Sequence, residues 1–346
     1  MPTMQDVAKH AGVALSTVSY ALNGTRPISE KTRQRIFAAM EELGYRPNAL
    51  ARGLASKNSR IIALLFPDLG AGLGVTALGF FFNTAEEARA LGYNLVLWPT
   101  VLHAKELEEH LRQGLVDGVV VMEIAIHDER IDYLRNANFP FSMIGRTGDN
   151  AGLNYVDFDI HQSIHDAVNY LIALGHRHIA FIDSGNANDE QGHGPSVRSQ
   201  AAFREAVQVA GVEYLVCSTE CAPISGYEIF NSLLEKDPEL TALVTINDYA
   251  VPGIVQAIAN HGWSVPQDFS IIVGPTSTEM AEMVLPPLTS IDIPIAEMSR
   301  WGVKLLIHQL ENQEPIECSQ VLIPCELIVR GSTGPIHEKE VKRKNQ

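Results

Sequence analysis

The feature that most constrains the fold is an alternation of short apolar runs with helical stretches from about residue 60 onward. A first series of apolar runs covers residues 61–66, 93–98, 117–122 and 139–145, and a second covers 178–183, 214–217, 242–248 and 269–274. Helical patterns separate them, the clearest at 75–91, 160–174, 196–210 and 294–313 and in a stretch that ends at His261. Apolar strands that alternate with helices indicate parallel sheets covered on both faces. Two such series predict two doubly wound α/β lobes, with a ligand crevice at the carboxyl ends of the strands.

Length and composition fit a multidomain protein of the cytoplasm. A chain of 346 residues exceeds one ordinary core, so two or three domains are expected. No apolar run approaches the roughly 20 residues that cross a bilayer, and the N-terminus lacks an export signal, so no membrane partner is expected. The four cysteines contain no C-x-x-C pair, which suits a reducing compartment, and no histidine cluster supports a metal site at Cys217 and Cys221.

The charges are unevenly distributed along the chain. Residues 1–60 carry nine basic and four acidic side chains, a net charge of +5, whereas the rest of the chain carries −20. A basic segment attracts DNA through counterion release, and an acidic body is repelled from it. This pattern favours a small DNA-binding head on a large acidic body.

The first 45 residues have the pattern of a helix-turn-helix. Thr3 is a plausible cap for a first helix, and Gly12 breaks that helix before a second begins near Leu15. A third helix is predicted from Ser29 to Glu42. The predicted core residues are Val7, Ala8 and Ala11, then Ala14, Val18, Ala21 and Leu22, then Ile36, Phe37, Met40 and Leu43. In such a motif the second helix enters the major groove with its N-terminal part against the bases.

A short segment after the head has two possible roles. Pro47 ends the preceding helix, and Asn48 can cap a segment from Ala49 to Ala55 that is too short to be stable alone. Its Leu54 can act as an apolar wedge in the minor groove, or the segment can be a linker that docks on the body.

Four stretches of the sequence resemble the lactose-repressor family, which includes the purine repressor. They are "MQDVAKHAGVALSTVSYALNG", "ISEKTRQRI" and "EELGYRPNALARGLAS" within about the first 57 residues, and "LIPCELIVRGSTGP" at 322–335. The resemblance implies a helix-turn-helix head at 1–46, a hinge helix and linker at 47–59, and a two-lobed body at 60–335 similar to periplasmic binding proteins. The chain is expected to cross back between lobes, with the N-lobe at about 60–159 and 293–319 and the C-lobe at about 160–290 and 320–335. Residues 336–346 are charged and predicted to be disordered.

The resemblance also implies which head residues contact DNA. Base contacts fall on Leu15, Ser16, Tyr20 and Arg26, phosphate contacts on Thr17, Ser19, Asn23, Ser29 and Thr32, and minor-groove contacts on Asn48, Ala51, Leu54 and Ala55. Tyr20 stands where some members carry an arginine, which pairs with guanine through two donors, so the preferred DNA sequence should differ at that position.

In the body, the resemblance implies a small-molecule effector in the crevice. Its candidate ligands are Arg198, Asn247, Asp248, Thr276 and Cys221. The chain also departs from the family here: Pro275 or Thr276 stands where members usually have an acid that holds a sugar or ribose hydroxyl, and Thr76 and Ala77 stand near an expected aromatic pair. A standard sugar or purine effector is therefore in doubt.

The implied function is a cytoplasmic, nucleoid-associated transcriptional regulator without a cofactor, and a repressor in particular. It would act as a homodimer or a tetramer on a near-palindromic double-stranded operator, with affinity set by the effector. Either induction or co-repression fits. The alternatives are a regulator with an atypical effector or none, and a solute-binding protein, which the head and the lack of an export signal disfavour.

An enzyme is the remaining alternative. The loop "GAGLGV" at 70–75 resembles a dinucleotide-binding loop, but Val75 replaces the third glycine and no acid ends the second strand. Asp157 and Asp159 have no base, nucleophile or metal ligand aligned with them. The four histidines of the cluster, His161, His165, His176 and His178, are expected to be structural.

Overall fold

A computed structural model describes residues 2–23, 26–45, 58–67, 74–100, 104–184, 192–312 and 318–336. The chain divides into a head unit, residues 1–61 with 114–117, and a body unit formed by the rest. The predicted hinge contacts Asn48, Ala51, Leu54 and Ala55 and the predicted tail from residue 337 onward lie outside the described residues. No helix in the described ranges is long and apolar enough to span a membrane.

The head contains three helices, α1 (Met4–His10), α2 (Leu15–Asn23) and α3 (Glu30–Leu43). A capping box starts α1, because the Thr3 hydroxyl accepts from the Asp6 amide and the Asp6 carboxylate accepts from the Thr3 amide. The Ser29 hydroxyl caps α3 by accepting from the Thr32 amide. Gly44 ends this helix in the left-handed conformation, φ 62°. These local signals were all readable in the sequence.

The core of the head confirms most of the predicted residues and corrects two. Val7, Val18 and Ile36 are fully buried. Ala14 is exposed, because it precedes the first residue of α2. Phe37 is also exposed, at 42%, and the Arg33 guanidinium lies 5.7 Å from its ring centroid. Ala39 takes the place in the core that the sequence pattern assigned to Phe37.

The first sheet of the body contains the strands β1 (Ile61–Pro67), β2 (Asn94–Thr100), β3 (Gly118–Val121), β4 (Phe141–Ile144), β5 (Tyr155–Phe158) and β11 (Gln320–Ile323). Their order in the sheet is β11-β5-β4-β3-β1-β2, and the described pairings are parallel. The helices that go with it are α4 (Val75–Ala90), α5 (Ala104–Leu111), α6 (Glu129–Asn136) and α12 (Ile295–Glu311). This N-lobe confirms the predicted doubly wound arrangement.

The second sheet has the order β12-β10-β9-β8-β6-β7 and is parallel except for the antiparallel pair of β10 and β12. Its strands are β6 (His178–Asp183), β7 (Glu213–Ser218), β8 (Ala242–Thr245), β9 (Ser270–Thr276), β10 (Thr289–Asp292) and β12 (Glu326–Ile328). Its helices are α7 (Ile160–Ala173), α8 (Gly194–Ala210), α9 (Pro223–Lys236), α10 (Val251–Asn260) and α11 (Thr278–Glu282), with a 3₁₀ turn at Asp248–Ala250.

The last crossing between the lobes falls later than the sequence predicted. Residues 320–335 were assigned to the C-lobe, but Gln320–Ile323 pairs in parallel with Tyr155–Phe158 and therefore completes the N-lobe sheet. The chain enters the C-lobe sheet with Glu326–Ile328. The short strands β5 and β10 were also missed, because each has four residues that include polar ones, which breaks the apolar pattern.

Two glycines allow α9 and α10 to pack closely in the C-lobe. A Cβ atom at Gly253 would lie 1.7 Å from the Pro223 carbonyl oxygen, and one at Gly226 would lie 2.0 Å from the Ala250 carbonyl oxygen. Both obstacles are backbone atoms, so no side chain can move aside.

We expect Gly253→Ala to destabilise the body by about 2–4 kcal/mol, because the helices must separate. Helix propensity alone would favour alanine by about 1 kcal/mol. The measurement is the free energy of unfolding in urea. Ala259→Gly, the reverse change at an exposed position of α10, is the control and should cost only about 1 kcal/mol. A stabilised Gly253→Ala variant would contradict the packing.

Candidate DNA-binding and effector-binding sites

The second helix of the head presents the predicted base-contacting residues on its outer face. Leu15 is 48% exposed and Ser16 is exposed, and both lie in the first turn of α2. Tyr20 lies one turn further on and is half-buried. The Arg26 guanidinium lies over the Tyr20 ring, 5.2 Å from its centroid, so a cation and a phenol hydroxyl belong to the same surface.

The predicted phosphate contacts occur at two places in the head. Thr17 and Ser19 lie on α2, and Asn23 is its last residue. Ser29 and Thr32 lie at the start of α3, where their hydroxyl oxygens are 2.8 Å apart and exposed. A helix N-terminus carries partial positive charge, which favours a phosphate there.

In the body, a cavity of about 210 Å³ lies between the carboxyl ends of the strands of the two lobes. Its walls are mainly apolar and include the rings of Phe66, Phe80 and Phe158. The polar residues that line it are Thr76, Glu123, Ser184, His193, Cys221, Asn247, Asp248 and Tyr249. This is the crevice that the alternating pattern predicts.

Three of the five predicted effector ligands line this cavity, namely Cys221, Asn247 and Asp248. Asn247 is almost completely buried and its polar atoms are already used within the protein. Its amide nitrogen donates to the carbonyl oxygens of Thr219 and Glu220, both at 3.1 Å, and its amide oxygen accepts from the backbone nitrogen of Ala250. Asn247 therefore shapes the cavity wall.

Thr276 and Arg198 do not line the cavity. Thr276 is buried, and its hydroxyl donates to the Asp248 carboxylate at 3.1 Å. Arg198 donates through Nη2 to the carbonyl oxygens of Arg146 at 2.6 Å and Thr147 at 2.9 Å. The Arg198 guanidinium, predicted as an effector ligand, thus connects a C-lobe helix to the N-lobe backbone.

The buried Asp157 balances the charge beside this connection. Its carboxylate lies 3.1 Å from Arg146 Nε and accepts from the Phe158 amide. Burial raises the pKa of Asp157 to about 6, although the positive charges of Arg146 and Arg198 oppose that rise. Asp159, its predicted acidic companion, instead caps α7 by accepting from the Gln162 amide.

Sequence reasoning missed Glu123 and His193, which both line the cavity and contact each other. Glu123 Oε2 lies 2.6 Å from His193 Nε2, and the other ring nitrogen of His193 lies 2.9 Å from the Ser196 hydroxyl. The backbone of Glu123 has φ 51°, an uncommon conformation for a side chain of this size. A signal was available, because Glu123 follows the buried run "DGVVVM" at the carboxyl end of a strand.

The carboxylates dominate the electrostatics of the cavity. Burial raises the pKa of Glu123, but the hydrogen bond and charge of His193 and the charge of Arg130 reverse this and hold the pKa below its usual value. Burial raises the pKa of Asp248, the Thr276 hydrogen bond opposes this, and the charge of Glu123 adds to the rise. Burial together with the charges of Asp248, Asp183 and Glu123 raises the pKa of the Cys221 thiol to about 11, so this thiol is neutral.

The four clustered histidines have structural partners. His176 is buried among the Thr241 and Ser270 hydroxyls, and His178 pairs with Asp237 at 2.9 Å. The ring of His161 stacks on that of His165 and lies 3.0 Å from Glu205. The ligating atoms of His161, His165 and Glu205 lie within 4.8 Å of one another; the hydrogen bond joins His161 to Glu205, and His165 contacts His161 through the ring stack.

The head and the crevice together define a class of protein: a DNA-binding regulator whose body has a small-molecule crevice. Residues 3–48 match the bacterial regulatory proteins of the lacI family, and residues 168–333 match the periplasmic binding protein-like domain. The transcriptional regulator DegA of Bacillus subtilis is 32% identical over 97% of this chain and 99% of its own, and catabolite control protein A of Priestia megaterium is 30% identical over 96% and 99%.

The fold comparison agrees with the sequence comparison. The lac repressor dimer bound to operator and the anti-inducer ONPF has a TM-score of 0.82 and 25% identity over 96% of this chain and 99% of that one. The chain belongs to the lacI family of bacterial regulatory proteins. It is a transcriptional regulator with a DNA-binding and an effector-binding domain, and its relatives are regulators and not enzymes, so the enzyme and solute-binding alternatives are set aside.

The charge state of Asp157 should be visible in the pH dependence of stability. A carboxyl group whose pKa is higher in the folded than in the unfolded chain binds its proton more tightly when folded, so its contribution to stability falls as the pH rises from about 4 through about 6. Relative to Asp157→Asn, which does not titrate, the native protein should therefore lose about 1 kcal/mol of unfolding free energy between pH 5 and pH 7.

Urea unfolding of both proteins at the two pH values measures this difference. Asp132→Asn, at an exposed position, is the control and should behave like the native protein. If the difference in unfolding free energy between the native protein and Asp157→Asn were the same at both pH values, the pKa of Asp157 would not be raised.

Proposed function

We propose that this regulator is a repressor that binds a near-palindromic operator as a homodimer and responds to a small effector in the crevice. The observation that supports the DNA-binding part most directly is the exposed face of α2, where Leu15, Ser16 and Tyr20 stand side by side. A two-fold arrangement of such helices fits successive major grooves. In a bacterial cell we expect such a protein to be associated with the DNA of the nucleoid.

In this proposal the head reads bases through four side chains. Leu15 contacts an apolar group such as a thymine methyl, Ser16 and Tyr20 offer hydroxyls, and Arg26 adds a charge beside the tyrosine ring. Thr17, Ser19, Asn23, Ser29 and Thr32 contact phosphates and fix the register of the head without reading sequence.

The hinge contributes by bending the operator. Leu54 is proposed to insert between base steps of the minor groove, and Asn48, Ala51 and Ala55 are proposed to contact the same groove. Such a wedge costs unstacking energy and gains a bent duplex that contacts more protein. Leu54→Ala should therefore reduce both operator affinity and bend angle.

The effector is proposed to lie against Asp248 and Cys221, with Asn247, Thr276 and Arg198 as residues that shape the crevice and link its two sides. An effector that favours one lobe arrangement changes operator affinity tenfold for about 1.4 kcal/mol of differential binding. Induction and co-repression differ in which arrangement the effector favours. A regulator with an atypical effector is the second candidate, which the use of Asn247 and Arg198 within the protein favours.

Selection of duplexes from a random DNA pool tests the function. We expect a recovered palindrome whose affinity falls steeply with salt, because several phosphates are neutralised. A pool without enrichment would contradict sequence-specific binding by the protein alone.

Tyr20→Phe tests the assignment of the base readers. Removal of one hydroxyl, which can make a single hydrogen bond, should relax the preference at one base pair of each half-site by about 0.5–1.5 kcal/mol, measured by competition between operators that differ at that base pair. Thr32→Val, which removes a proposed phosphate contact, is the control and should weaken all operators equally. An unchanged base preference in Tyr20→Phe would remove Tyr20 from the base readers.

A further inference from the structure

The polar surface of the crevice has a consistent sign. Glu123 and Asp248 both line the cavity, and the charge of Glu123 contributes to the raised pKa of Asp248. Among the residues that the structure describes, no lysine or arginine lines the cavity. The chain segments directly after β1, β2 and β6, residues 68–73, 101–103 and 185–191, also contain neither residue type in their sequence.

The nearby cations are already occupied. Arg198 is held by two N-lobe carbonyl oxygens, and Arg130 is fully buried against Asp128 and the carbonyl oxygens of Met122 and Glu123. His193 is held between Glu123 and Ser196. An anionic ligand such as a sugar phosphate would therefore meet the Asp248 carboxylate, beside which no lysine or arginine of the described residues lines the cavity, while His193 and Arg130 already offset the charge of Glu123.

The helix N-termini at the cavity do not change this balance. Gly74 and His193 are the N-cap residues of α4 and α8, and both line the cavity. Their partial positive charge favours an anion. At the N-terminus of α8 the protein already places a carboxylate nearby, because Glu123 binds the ring of the N-cap residue His193.

The groups expected to bind a sugar are also occupied. The side chain of Asn247 is satisfied by backbone groups, and Pro275 lines the cavity at the place where an acid was expected. A polyol needs many hydrogen-bonding partners around it, whereas most of this wall is formed by aromatic and aliphatic side chains. Aromatic faces beside carboxylates suit a positively charged group on an apolar body.

We propose that the crevice binds a small organic cation, an ammonium group on a mainly apolar body, with the Asp248 carboxylate as its partner. The inference rests on the proposed effector function, because it names the chemical class of the ligand of that same site. The cavity volume of about 210 Å³ limits the ligand to a compact molecule.

The test compares ligands that share a skeleton and differ in charge. Benzylamine, benzyl alcohol and benzoate form the first set, and further primary amines with their alcohol and carboxylate counterparts extend the panel, with glucose and glucose 6-phosphate included. Binding to the full-length protein without DNA is measured by calorimetry and by the shift in melting temperature. We expect amines to bind at least tenfold more tightly than their alcohols, and the carboxylates and the sugar phosphate not to bind.

Asp248→Asn should remove the tenfold preference for amines, while Asp132→Asn, the same charge change at an exposed position of α6, should retain it. The circular dichroism spectrum and melting temperature of each variant without ligand establish that it is folded. Tighter binding of an anion or of glucose than of any amine, a panel without amine binding, or an amine preference that survives in folded Asp248→Asn would each overturn the inference.

Operator selection on the same preparations separates this inference from the proposed function. A recovered palindrome without amine binding leaves the repressor proposal intact and refutes the ligand class. Amine binding without an enriched operator supports the ligand class and contradicts sequence-specific DNA binding by the protein alone.

Discussion

The parallel pairing of strands in both sheets is the constraint on which the rest of the body depends. Parallel strands end together, and the helices that follow them begin together, so side chains that are distant in sequence meet at one edge. Glu123 follows β3, Asp248 follows β8, and Gly74 precedes α4, and all three line one cavity. The same geometry brings the N-cap residues of α4 and α8, Gly74 and His193, to that cavity. The topology thus decides which chain positions meet at the crevice, and the residue types at those positions decide its charge.

The architecture could be predicted wherever burial leaves a long apolar signature. β1 and β6 are nearly continuous apolar runs, and their positions follow directly from the sequence. β5 and β10 were missed because four residues with polar members among them carry too little pattern. The assignment of Gln320–Ile323 to the N-lobe depends on pairing with β5, more than 160 residues earlier, and no local pattern encodes a partner at that distance.

The sequence predicted where the crevice lies, but it predicted only some of the residues that line it. Asp248 and Cys221, which the family resemblance implied as effector ligands, line it. Arg198 was expected beside them, but its guanidinium reaches two carbonyl oxygens of the other lobe. Sequence specifies that a side chain is long and charged, whereas the backbone groups that compete for it are decided by tertiary structure. Glu123 was missed although it directly follows an apolar run that predicts a strand. Its hydrogen-bond partner His193, at the start of α8, is distant in sequence, and the sequence pattern does not indicate that pairing.

These hydrogen bonds between lobes also set how sensitive the response can be. The Ile126 amide donates to the Gly192 carbonyl oxygen at 2.7 Å, the Gly194 amide donates to the Ile124 carbonyl oxygen at 3.0 Å, and Arg198 adds two charged bonds nearby. A neutral hydrogen bond contributes about 1 kcal/mol and one from a charged group about 1.5–3 kcal/mol. A tenfold change in operator affinity requires about 1.4 kcal/mol. A ligand that makes or breaks one of these connections, by occupying the cavity beside them, therefore supplies enough free energy for a measurable switch.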